Sequence, residues 1–142
     1  MIKAEDLRIG DLVIVNENCS LEQGTIGKVS EVRSTPLYKE NEGSIGLKPI
    51  SNDRWPWGVL CRNIDPIPLT PEILEKNGFN MREDTVVYAK NRLGLKPLGD
   101  GKGYHVGLGS LRLLFVNVRV IKYVHELQHI LWALGLDANL KI

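Results

Sequence analysis

The sequence has no long apolar run. Its richest stretch, LRLLFV at residues 111–116, is already broken by Arg112. A membrane-crossing helix needs roughly 20 apolar residues, so no such span is expected. Cysteine is scarce. Cys19 and Cys61 stand far apart with no CxxC spacing, which fits two reduced thiols better than a disulfide framework. Charge of one sign is also missing: the formal net charge is +1. The opening MIKAEDLRIGDLVIV carries Glu5 and Asp6 where a signal peptide would be basic, and it lacks an apolar h-region. The expectation is a cytoplasmic protein, in the bacterial or phage sense, with no membrane partner.

What the chain does contain is a 43% apolar share with 25% charged residues, enough for a packed core. Its 142 residues suit a single domain, with 1–65 and 66–142 as an internal division. The charge is unevenly spread. Residues 1–35 hold four basic and six acidic side chains, and residues 81–142 hold nine and five. The basic set Arg92, Lys96, Lys102, Arg112, Arg119 and Lys122 therefore offers a nucleic-acid reading, but a weak one. Phosphate contacts demand more than this excess.

The first third reads as short strands. Leu12–Val15 follows the turn-like Ile9-Gly10-Asp11, and GTIGKVSEVR alternates after Gly24 and Gly27. The pattern predicts an N-terminal SH3-like small barrel over 1–65. GTIGKV also resembles the KOW element of some ribosomal and transcription factors. That likeness covers about ten residues and implies nucleic-acid contact, which the net acidity of residues 1–35 opposes. Polar STPLYKENEGS reads as a loop. Trp55 and Trp57 flank Pro56, and two tryptophans two apart share a side of an extended chain. The favoured expectation is that they cover a core edge, with an aromatic binding platform as the alternative.

The middle holds a helix signal. Thr70 suits the N-cap, Pro71 the first turn, Glu72 the positive end and Gly78 the stop, so a short helix is expected near 71–77. Glycines 99, 101 and 103 match neither a P-loop nor a dinucleotide fingerprint and read as a hairpin tip. Strands are expected at TVVYAK, LGLKPL, YHVGL and a final run reaching about residue 120. The fold class expected overall is α+β: β-rich, with the SH3-like unit, a short middle helix and an amphipathic C-terminal helix.

The sharpest motif is YVHELQHILWALG. His125, Glu126 and His129 match H-E-x-x-H, in which two imidazoles one turn apart grip zinc and the glutamate serves as general base. Tyr123, Val124, Leu127, Ile130, Leu131 and Leu134 suggest the apolar stripe, leaving the histidines on the other side. A third ligand is not evident. Trp132 and Gly135 occupy the metzincin extension positions, and no glutamate follows Glu126. A peptide deformylase carries this motif with an upstream cysteine, so Cys61 or His105 would be the candidates, yet that family's other signatures are absent. The primary expectation is thus no cofactor, no catalytic residue and no enzyme. A zinc hydrolase built on His125, Glu126 and His129 is the alternative.

Three stretches, DLRIGDLV, PIPLTPEILEKNGF and IKYVHELQHILWAL, cover about a quarter of the chain. In them it resembles a group of uncharacterised proteins of Bacteroides-type genomes, phages and mobile elements. The resemblance implies no activity. It does imply that His125 and the Leu127-Gln128 pair are typical and that Gln often replaces Glu126. Asn often replaces His129, and an aromatic at position 132 is usual. Attention therefore moves from metal to an outward strip of His125, Gln128 and Trp132. The expected function is a non-enzymatic binding or accessory protein of a phage or mobile element. Its partner would be another protein, or a second copy of the chain in a homo-oligomer.

Overall fold

The computed structural model describes residues 2–17, 19–33, 43–51, 55–83, 86–108 and 119–142. Two compact units divide the chain, Met1–Ile67 and Pro68–Ile142. Each is built on its own antiparallel sheet of five strands.

In the N-terminal unit the strands are β1 (Leu12–Val15), β2 (Ile26–Arg33), β3 (Ser44–Pro49), β4 (Trp57–Leu60) and β5 (Ile64–Pro66). Their order across the sheet is β4-β3-β2-β1-β5. The turn into β1 is held by its own residues. Gly10 takes φ 100°, a conformation glycine adopts at no steric cost. The Asp11 carboxylate accepts from the Arg8 backbone N–H at 2.7 Å. Val13, Val15, Val29, Ile45, Leu47 and Ile64 are fully buried and form the centre of this unit's core.

A β-bulge interrupts β2. Val29 pairs with Leu47 and Glu31 with Gly46, so Ser30 is the extra residue. Side chains alternate along a strand, so an unbroken β2 would put Val29, Glu31 and Arg33 on one face. The inserted residue reverses that parity. Val29 and Val32 both pack on the core, while Glu31 and Arg33 turn to the outer face.

The second unit is a meander. It contains α1 (Pro71–Lys76), β6 (Asn80–Arg82), β7 (Val87–Lys90), β8 (Leu93–Pro97), β9 (Tyr104–Leu108), β10 (Arg119–Ile121) and α2 (Val124–Ala133). Strand order follows the sequence, β10-β9-β8-β7-β6. Thr70 caps α1 by accepting from the Ile73 N–H at 3.4 Å. The Glu72 carboxyl lies below its usual range because the Thr70 side chain bonds it. Gly78, at φ 79°, ends the turn. Tyr88 and Tyr104 are buried in an edge-to-face pair with ring centroids 6.2 Å apart. Burial raises both phenols above their ordinary value. The C-terminal segment is tied back onto this unit. Asn77 donates to the Lys141 carbonyl and accepts from the Lys141 N–H, each at 2.8 Å.

The α+β expectation is overturned. Among the described residues the chain is mostly β, with ten strands. Helix amounts to ten-residue α2, six-residue α1 and two single 3₁₀ turns, Ala4–Asp6 and Cys61–Asn63. The reason is local. Apolar alternation comes in runs of three to eight residues closed by turns, and the α1 pattern is stopped after six. Within 1–65, the span of the expected SH3-like unit, five short antiparallel strands form a ladder that is open among the described residues. Its edges are β4 and β5, and β5 returns to pair with β1 after the 3₁₀ turn Cys61–Asn63. Residues 34–42 of the loop expected at STPLYKENEGS and most of the last expected strand lie outside the described residues, and Ser44 at the end of the expected loop already belongs to β3. Of that strand only Arg119–Ile121 is described.

Candidate functional site

The His-Glu-x-x-His segment forms α2, but its polar residues have structural duties. The Glu126 carboxylate accepts from the backbone N–H of Lys122 at 2.7 Å and of Tyr123 at 3.1 Å. A glutamate at the third helical position that reaches back in this way satisfies N–H groups the helix start leaves unpaired. Arg119 adds an ion pair at 3.4 Å. A carboxylate so engaged caps the helix. His125 stacks on Tyr123 at 5.9 Å, and His129 meets His125 edge-on at 5.8 Å between centroids. Among the described residues no three His, Cys, Asp or Glu side chains gather as metal ligands would, so neither Cys61 nor His105 completes a set. Cys61 is buried within the N-terminal core.

The expected outward strip is also corrected. His125 is 6% exposed and Gln128 4% exposed, whereas Trp132 is 68% exposed. Val124, Leu127, Gln128 and Leu131 form the buried stripe at the i, i+3, i+4, i+7 spacing. Gln128 belongs to that stripe because its amide donates to the Ala138 carbonyl at 3.0 Å, pinning the C-terminal tail. Leu134, expected inside, is exposed at the helix end. Polar and apolar residues therefore do not sort onto two faces of α2.

Of the basic residues in the second unit, Arg92 and Lys102 do not converge. Arg92 lies in the β7–β8 turn and Lys102 in the β8–β9 turn, at opposite ends of β8. Lys102 lies 3.9 Å from Asp100 and Arg119 pairs with Glu126. Arg112 lies outside the described residues.

The surface that draws together exposed, binding-competent side chains is in the N-terminal unit, at the sheet edge formed by β4. Trp55, just before this strand, is 89% exposed, and Trp57, its first residue, is 41% exposed. The expectation that both cover a core edge fails for Trp55, which lies in solvent ahead of the edge strand. Trp57 pairs with Leu47, which places it on the core-facing side where the core ends.

The other face of the same strand carries a groove of about 280 Å³. Its floor is a pair of cross-strand glycines, Gly46 on β3 and Gly58 on β4. A Cβ on Gly46 would fall 2.8 Å from the Ser30 hydroxyl oxygen, so that position is close-packed. A Cβ on Gly58 would meet no heavy atom within 4 Å, so the space above it is open. Leu60 and Pro56 wall one side, and the Glu31–Arg33 pair the other. Arg33 donates through Nε and Nη2 to the two Glu31 oxygens at 2.8 and 2.9 Å. That two-pronged contact lowers the Glu31 carboxyl and raises the Arg33 guanidinium from their ordinary values. The pair presents both signs at the rim, and the floor presents backbone.

Sequence reasoning pointed to Trp55 and Trp57 but missed the groove. Its signals were two glycines inside strand patterns and two valines three apart, Val29 and Val32, where strict alternation demands an even spacing. No family model matches the chain, and neither the curated proteins nor the solved structures contain a significant match to it.

Proposed function

We propose that this is a non-enzymatic protein-binding module whose recognition surface is the β4 edge of the N-terminal unit. One observation carries the reading: Trp55 stands almost fully in solvent just ahead of a strand that itself exposes Trp57 and a groove. A tryptophan offers roughly 150–250 Å² to a partner. At about 25 cal/mol per Å², covering one yields on the order of 4–6 kcal/mol before the costs of association. Tryptophans of this kind dominate binding energy when a partner covers them. The groove is slightly smaller than the roughly 300–1,000 Å³ of pockets that enclose small molecules, which favours a partner that lies across it. The resemblance to proteins of phages and mobile elements supports an accessory role for such a module.

The test is selection of a displayed library of random dodecapeptides on the full chain and on the Trp55→Ala/Trp57→Ala variant. Peptides that bind the former and lose at least about tenfold on the latter are expected, as for hot-spot tryptophans. Enrichment of none, or of peptides indifferent to both tryptophans, contradicts the reading.

A further inference from the structure

The two exposed features at β4 lie on opposite faces of the sheet. Trp57 shares its face with Leu47 and Val59, while Gly58 and Leu60 share the groove face. A ligand lying on one face would touch one feature and miss the other. The place that adjoins both is the edge of the strand itself.

The hydrogen-bonding phase of β4 shows what that edge offers. The Cys61 N–H donates to the Gly43 carbonyl, in register with the β3–β4 ladder. Bonded and non-bonded pairs alternate in an antiparallel ladder. Val59 and Trp57 therefore direct their N–H and C=O groups to β3, while Gly58 directs both of its groups and Leu60 its N–H away from it, the Leu60 carbonyl being engaged by the 3₁₀ turn Cys61–Asn63. Among the described residues no strand lies on that side. The usual protections of an edge are sparse here. The strand carries no charged side chain, and its proline, Pro56, stands just before it. A row of backbone donors and acceptors at strand spacing is complementary to another extended backbone.

We infer that the β4 edge takes an extended peptide segment of a protein partner as a sixth strand. This rests on the binding reading given above. Residues of that segment would alternate between the two faces. Those on one side would enter the groove over Gly58, beside Leu60 and the Glu31–Arg33 pair. Those on the other would pack on Trp57. Main-chain bonds to Gly58 and Leu60 supply affinity, and the two faces supply selectivity. A second copy of the chain is disfavoured by size. Stable dimers bury at least about 1,200 Å² in total, and a four-residue edge is short for that.

The test uses a peptide selected on the intact chain, synthesised with single N-methyl groups walked along its backbone. Strand addition predicts an alternating pattern. Methylation of every second amide lowers affinity more than about tenfold, and methylation of the intervening amides leaves it within about twofold. Two protein variants accompany it. Gly58→Pro removes the outward N–H at an edge position where proline is tolerated, and Gly58→Val fills the open space above the floor. Both are expected to lose the peptide while keeping the wild-type thermal transition. A Trp-dependent peptide with no alternation, still bound by Gly58→Val, overturns strand addition but leaves the binding surface standing. Absence of any Trp-dependent peptide overturns both.

Discussion

Glu126 accepts the backbone N–H groups of Lys122 and Tyr123, so its carboxylate stabilises the start of α2. Replacing Glu126 by Ala is expected to cost about 1 kcal/mol, the value of a helix cap together with a favourable dipole contact. A lowered urea midpoint at unchanged slope is the readout, and Glu126→Gln should restore most of it. An unchanged midpoint would return Glu126 to the list of groups free for chemistry. Tyr88 and Tyr104 supply a pH dependence. Their folded phenols titrate above the ordinary value of about 10 because burial disfavours the anion. The stability they contribute is complete below the unfolded value. It is lost as pH climbs from there through the folded value. Tyrosinate absorbance should therefore show a delayed fraction that shrinks in Tyr88→Phe and again in Tyr104→Phe. The motif residues were visible in the sequence, but their partners were not. Nothing in HELQH says that its glutamate bonds the preceding backbone or that its glutamine reaches Ala138.

At the scale of elements, boundaries were legible where caps and glycines speak. Thr70, Pro71 and Gly78 mark α1 to within a residue of its observed limits. Periodicity spoke less well. The apolar stripe assigned to α2 took in Tyr123, Ile130 and Leu134, because a helix wheel ranks residues by polarity. Gln128 is buried all the same, since the C-terminal tail passes over it and offers a carbonyl. In β2 the alternation hid a bulge, and only the three-residue spacing of Val29 and Val32 betrays it. That single extra residue decides which face the Glu31–Arg33 pair joins, and so whether the groove has a charged rim. The tail makes an element-scale prediction. Asn77→Ala removes the acceptor of the Lys141 N–H, so exchange at that amide should quicken about five- to tenfold, the equivalent of roughly 1 kcal/mol for one net hydrogen bond. An unaltered rate would mean the tail is held without Asn77.

At the scale of the molecule, two five-stranded sheets among the described residues take the place of the expected α+β domain, and the charge divides between their units. Residues 1–67 hold eight basic and ten acidic side chains, and residues 68–142 hold ten and seven. Neither balance is strongly basic, and the exposed tryptophans Trp55 and Trp57 stand in the first unit. No helix among the described residues is long and apolar enough to cross a membrane. Two exposed tryptophan surfaces remain as rivals: Trp55 with Trp57 in the first unit, and Trp132 in the second. Residue-resolved hydrogen exchange of the full chain, with and without a selected peptide, separates them most directly. The account predicts that the amides of Gly58 and Leu60 gain about tenfold protection or more on peptide binding while those around Trp132 do not change. Protection confined to the end of α2, with Gly58 and Leu60 exchanging as before, would contradict it.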